Sequence, residues 1–130
     1  HTQYYIYRQD KMAETKNLVE AIIEGIQEKK GRAISVADLS SIDTAPCKYF
    51  VICTGGSPQQ VEAVADSVEE FARKHAAEKP AAVCGKANAE WVALDYGTVM
   101  VHVFLPDARE HYDLEHLWHD APVQSIPDLD

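Results

Sequence analysis

The sequence predicts an α/β domain built on a single mixed sheet of about five strands, with helices on its faces. Three observations carry that expectation. Residues 90–105, EWVALDYGTVMVHVFL, hold two apolar runs, 91–94 and 99–105, around Asp95-Tyr96-Gly97-Thr98. Such Val-, Trp- and Phe-rich runs favour a pleated, packed surface, and a glycine between them signals a hairpin. Two amphipathic stretches, 13–30 and 58–77, repeat apolar residues at helical spacing. Short apolar runs at 33–39, 49–54 and 81–84 then complete the order α-β-β-α-β-β-β-α.

Residues 1–12 differ from the rest of the chain: three tyrosines, little periodicity, and Met12. They are set apart as a leader, an expression remnant or an upstream extension, although Tyr4, Tyr5, Ile6 and Tyr7 would also suit an extra strand. Residues 13–121 form the domain. In the first helix Leu18, Val19, Ile22, Ile23 and Ile26 make the apolar stripe, Lys29-Lys30 complements the C-terminal dipole, and Gly31 supplies the stop. In the second, Ser57 suits the N-cap with Pro58 at the first helical position, and Val61, Val64, Ala65, Val68, Phe71 and Ala72 form the stripe. Pro106 ends the sheet, and 107–118 make one helix or two short ones. Pro122 and Pro127 mark 122–130 as a mobile tail.

A chain of 130 residues, 46% hydrophobic and 25% charged, has the make-up of one soluble globular domain with a real core. Its net charge of −9 repels phosphate backbones, which argues against extensive direct nucleic-acid binding and favours a basic protein partner. No apolar run approaches the ~20 residues that span a bilayer. Cys47, Cys53 and Cys84 match no zinc spacing, and Cys53 lies inside an apolar run, so a reducing, cytoplasmic setting is expected.

Catalytic chemistry finds little support. Gly55-Gly56-Ser57 ahead of a helix could cradle a phosphate, but the P-loop lysine and the GxGxxG spacing are missing. A nucleotidyltransferase would need paired carboxylates for magnesium, whereas Asp66 lies on a helix and Asp95 stands alone. A capped helix explains the glycines better. His111, His116 and His119 are spaced by five and three, not the i, i+4 of a zinc helix, and His102 sits on a strand. Ser57 has no evident base, so no cofactor or metal is expected.

Binding chemistry is richer. Trp91 and Asp95 share a strand face with only Ala93 between them, which suits a recognition surface and equally a half-buried tryptophan beside a solvated aspartate. Tyr112 and Glu115, three apart, share one face if a single helix carries both. Leu114, Leu117 and Trp118 have helical spacing and should pack on the sheet. Trp91, Asp95, Tyr112 and Glu115 would form one aromatic and acidic patch if this helix returns beside the hairpin, an interface composition.

Four passages, in order, resemble the ribosomal silencing factor (RsfS, Iojap-like) family. They are Phe50-Val51-Ile52-Cys53-Thr54-Gly55 with Ser57; Gln60-Val61 leading to Ala65-Asp66; Trp91 with Leu94-Asp95-Tyr96-Gly97, Val99 and Val101-His102-Val103-Phe104; and Arg109, Tyr112-Asp113-Leu114-Glu115 with Leu117-Trp118. The resemblance implies a nucleotidyltransferase-like fold without its catalytic carboxylates, and a non-enzymatic role. It implies binding to the universal large-subunit ribosomal protein numbered fourteen, which blocks subunit joining and represses translation. It implies Trp91, Asp95, Tyr112 and Glu115 as the partner-binding positions, with Asp66 a further one, and self-association as a homodimer in some members. Organellar relatives act in large-subunit assembly, an alternative role. A nucleotide-binding enzyme using Ser57 and Asp66 or Asp95 is the rival. The chain departs from the family in carrying Cys84-Gly85 for the usual Glu-Gly, and Thr98 where an acidic residue often follows the hairpin glycine. Both changes remove negative charge near the expected surface.

Overall fold

The computed structural model describes residues 2–117 and 120–129, with side chains from Met12 onward. The elements run α1 (Thr2–Glu28), β1 (Arg32–Asp38), β2 (Tyr49–Thr54), α2 (Pro58–Ala76), β3 (Ala82–Cys84), β4 (Trp91–Asp95), β5 (Val99–Phe104), α3 (Pro106–Tyr112), α4 (Leu114–Leu117) and β6 (Val123–Ile126). The strands form one sheet in the order β3-β4-β5-β2-β1-β6. β2 and β5 pair in parallel, and every other neighbouring pair is antiparallel. A parallel pair needs a long crossover, which α2 and the β3–β4 segment supply. The expected mixed α/β sheet is therefore present, with six strands instead of five.

Alternation along the strands gives the sheet two unlike faces. One face carries Ile34, Val36, Val51, Cys53, Val92, Leu94, Val99, Val101 and Val103, sealed beneath the stripes of α1 (Leu18, Ile22, Ile26) and α2 (Val61, Val64, Val68). Each fully buried aliphatic side chain contributes roughly 1.5–3 kcal/mol relative to exposure. Burial pushes the Cys53 thiol up to about 12, so it packs as a small apolar residue. Gly25 and Ser67 join the two helices through a buried hydrogen bond from Ser67 Oγ to the Gly25 carbonyl, 2.7 Å. The second face has no such helical layer. At one end the 39–47 segment and Ala121 cover Ala37 and Phe50; at the other lies α3.

The start of α2 is locally determined. Ser57 Oγ accepts the Gln60 N–H (3.1 Å), and Gln60 Oε1 accepts the Gly56 N–H (2.7 Å). The Gln60 amide then donates to the carbonyls of Lys29 and Lys30, capping the end of α1 with the start of α2.

Four details depart from the sequence expectation. α1 begins at Thr2, so the leader is helical and forms no strand. Extending an existing helix adds a hydrogen bond for each residue fixed, which outweighs the weak β preference of the tyrosines. Residues 123–126 of the tail form β6, a strand not expected from the sequence, which pairs with β1 and covers an edge that would otherwise be open. Pro122 and Pro127 flank this strand, where neither removes a ladder donor. Leu117 is 62% exposed and does not pack on the sheet; Trp118 and His119 lie outside the described residues. Finally, the left-handed residue that ends α1 is Lys30 (φ 62°), with Lys30 N bonded to Gln27 O and Gly31 N to Ile26 O. Gly31 serves by its missing side chain, since a Cβ there would lie 2.4 Å from Ile26 Cγ2.

Lys30→Gly should therefore raise stability by about 0.5–1 kcal/mol, because it removes left-handed strain that exceeds the added chain entropy. Gly31→Ala should lower it. Urea unfolding of both variants checks this, and the opposite signs would place the left-handed cap at Gly31.

Candidate functional site

The site is the second face of the sheet, which the register assembles from four strands. Trp91, Ala93 and Asp95 on β4 lie opposite Phe104, His102 and Met100 on β5. Phe50 and Ile52 continue the face on β2, and Cys84 on β3 sits beside Ala93. Phe104, His102, Ile52 and Phe50 are buried, while Trp91, Ala93 and Asp95 are half-buried at the open part. Cys84 is exposed, so one of the two departures in charge falls directly on this face.

Trp91 is held from three sides. Its ring stacks on Phe104 (centroids 5.1 Å apart) and lies 4.6 Å from the ring of Tyr112. Its Nε1 donates to His102 Nδ1 at 3.0 Å. From behind, Gly85 (φ 92°) lets the β3–β4 segment pass so close that a Cβ there would lie 2.0 Å from the Trp91 carbonyl oxygen. Only glycine fits that approach. Burial lowers the pKa of His102 to about 4, so the imidazole is neutral at physiological pH. Phe50 meets the His102 ring edge-on at 5.0 Å and completes the aromatic run beneath Trp91.

Tyr112, 51% exposed, ends α3 and forms the outer leaf of this stack. What puts α3 there is Arg109. Its Nη1 donates to the Ala33 carbonyl (2.6 Å) and Thr54 Oγ1 (2.9 Å), and its Nη2 to Ser35 Oγ (3.3 Å). Its Nε donates to Glu115 Oε1 at 2.9 Å, and the Arg109 side chain is only 15% exposed. Ala33 is itself left-handed (φ 52°), at a register shift in β1, and Asp128 accepts its N–H at 2.8 Å. Arg109 was legible only as a family position, and its anchoring role had no local signal.

The expected patch is assembled in part. Trp91 and Tyr112 meet directly. Asp95 lies on the same face, where Oδ1 also accepts the Gly97 N–H (2.8 Å) and shapes the hairpin turn. Glu115 does not share a helix face with Tyr112. Asp113 adopts a left-handed conformation (φ 48°) that ends α3, so Glu115 belongs to α4 and turns toward Arg109. Asp66 lies on α2, in the layer that seals the opposite face. It pairs with Lys86 at 2.8 Å, and together with Glu69 it raises the lysine's pKa. Among the described residues, no three His, Cys, Asp or Glu side chains converge as a metal-ligand set, and no helix is long and apolar enough to cross a membrane. His116 pairs with Asp113, and His111 touches the Tyr112 ring.

Arg109→Met keeps the aliphatic stem and removes every one of those hydrogen bonds. It should cost on the order of 2 kcal/mol in unfolding free energy and loosen Tyr112 from Trp91. Chemical denaturation, with cross-ring NOEs between Trp91 and Tyr112, tests this; unchanged stability with an intact stack would contradict the anchoring role.

Comparison with known proteins places this geometry in a family. Residues 12–130 match the family described as "Ribosomal silencing factor during starvation". "Ribosomal silencing factor RsfS" of Bacillus subtilis is 35% identical over 111 residues, covering 85% of this chain and 92% of that protein. "Ribosomal silencing factor RsfS" of Halalkalibacterium halodurans is 34% identical over 111 residues, covering 85% and 93%. A crystal structure of a Chromobacterium violaceum protein superposes with a TM-score of 0.75 at 35% identity, over 80% of this chain and 85% of that one. The chain belongs to the ribosomal silencing factor (RsfS) family.

Proposed function

We propose that this chain is a non-enzymatic ribosome-binding factor that represses translation by occlusion. Its open sheet face docks on the universal large-subunit protein numbered fourteen, and the bound domain keeps the small subunit from joining. The observation that carries the reading is the Trp91–Tyr112 stack, held by a hydrogen bond to His102 on the face opposite the α1–α2 layer. Aromatic anchors fixed before binding lose little entropy on association, and such residues dominate interface energetics.

Trp91 and Tyr112 are the proposed anchors. Asp95 and Glu115 supply carboxylates at the margins, where Glu115 also steadies Arg109. Asp66 contributes to the field of a chain carrying −9, not to the contact. That charge favours rapid encounter with a basic ribosomal protein and predicts an on-rate that falls as salt rises. Occlusion asks nothing of the face except affinity and bulk.

Binding of the isolated ribosomal protein to the wild-type domain and its variants tests the proposal. Trp91→Ala and Tyr112→Ala should each lose on the order of 2 kcal/mol of binding with folding intact. Asp66→Ala should bind as the wild type does. Absence of wild-type binding at low and moderate salt would overturn the reading, and a magnesium-dependent thermal shift with nucleotide would favour the enzymatic alternative.

A further inference from the structure

We propose that His102 is a positioning residue for partner binding: its Nδ1 fixes the Trp91 indole in the orientation that presents the ring to the partner. The inference rests on the reading of the open face as the binding surface.

An indole nitrogen only donates, so His102 Nδ1, 3.0 Å away, must be the acceptor, and the single proton of the neutral imidazole sits on Nε2. That Nε2–H is buried and has no hydrogen-bond partner among the described residues. His102 is 3% exposed, between Phe50 and Phe104. An orphaned buried donor is a cost that a phenylalanine of similar size would avoid. The bond to His102 satisfies the indole N–H of a half-buried Trp91, but only by leaving the deeper Nε2–H orphaned. Stability alone therefore gives histidine little advantage here. What the imidazole alone supplies is an acceptor within the sheet that locks the indole against rotation. The indole N–H is thus already engaged, so what Trp91 and the overlying Tyr112 offer a partner is aromatic ring surface, which suits an apolar group or a lysine or arginine.

The same bond is broken by protonation, because the imidazolium donates from both nitrogens and cannot accept from the indole. The titratable or charged groups that share this face are Asp95 on β4, Cys84 on β3, Arg109 and Tyr112 on α3, Glu115 on α4, and Cys47 in the segment that covers Phe50. None of these is a cause of the low pKa of His102, which burial alone produces. The His102 imidazole thus stays neutral in the folded state down to about pH 4. Between there and the ordinary histidine value of about 6.5, the unfolded chain takes up a proton that the folded one refuses. His102 accordingly makes stability fall as pH falls through that window.

The test follows the Trp91 indole by ¹H–¹⁵N NMR in a Trp118→Phe background, alongside binding to the large-subunit protein, in His102→Phe and His102→Asn. His102→Phe should fold at least as stably at pH 7 with a flatter pH profile. Its indole proton should exchange faster and its affinity fall about tenfold. His102→Asn keeps an acceptor near the Nδ1 position and should recover most of both. A second measurement needs no variant at His102: the indole resonance should move in step with His102 titration. Unchanged indole exchange in His102→Phe, a freed indole with unchanged affinity, or an indole indifferent to His102 titration would each overturn the proposal. The indole readouts require no partner, so a failure of the wild type to bind would be recognised separately, as the failure of the binding reading on which the proposal rests.

Discussion

The placement of α3 by Arg109 is the constraint on which the rest of the surface depends. A seven-residue helix buries little and would not hold its position by apolar contact; none of its side chains is fully buried. The guanidinium replaces that missing core with directed bonds to the Ala33 carbonyl and to the hydroxyls of Thr54 and Ser35. A planar fork of five donors suits three oxygens on two adjacent strands in a way that a lysine ammonium would not. Glu115 takes the remaining Nε–H and supplies a counter-charge, so the half-buried cation is both paired and hydrogen-bonded. Tyr112 is thereby brought over Trp91 as a consequence of where the helix is tied.

The sheet divides its work between two faces. The helical layer of α1 and α2 seals one face with aliphatic side chains and provides the stability of the domain. The other face is covered only at its ends, by the 39–47 segment and α3, and carries a run of aromatic rings among smaller apolar residues. Rigidity there comes from the sheet itself: β4 and β5 are ladder-bonded neighbours, and the rings stack on residues fixed by that ladder. Under the proposed docking on a basic ribosomal protein, charge would govern encounter and aromatic contact residence.

Legibility in the sequence extends to whatever is decided locally. The hairpin over residues 91–104 and the Ser57 cap of α2 depend on neighbours within a few positions, and both are found where periodicity and turn chemistry place them. Strand parity alone likewise puts Trp91 and Asp95 on one face. Non-local pairings are not legible. β6 exists because β1 offers an unpaired edge, and the tail's own residues say nothing about that edge. The strand partners of Arg109 lie 55 to 76 positions away, so its anchoring role has no trace in local pattern. The split between Tyr112 and Glu115 turns on one left-handed residue, Asp113; aspartate tolerates that conformation well, and this was the signal available.

The central claim, that the open face around Trp91 and Tyr112 is what the ribosome covers, is tested most directly by hydroxyl-radical footprinting of the domain, free and bound to large ribosomal subunits. Side-chain oxidation of Trp91 and Tyr112 should drop sharply on binding, while exposed residues of α1 and α2 such as Met12 and Lys74 keep their free-state reactivity. Protection of the α1–α2 layer with Trp91 and Tyr112 still reactive would contradict the account and move the interface to the other side of the sheet.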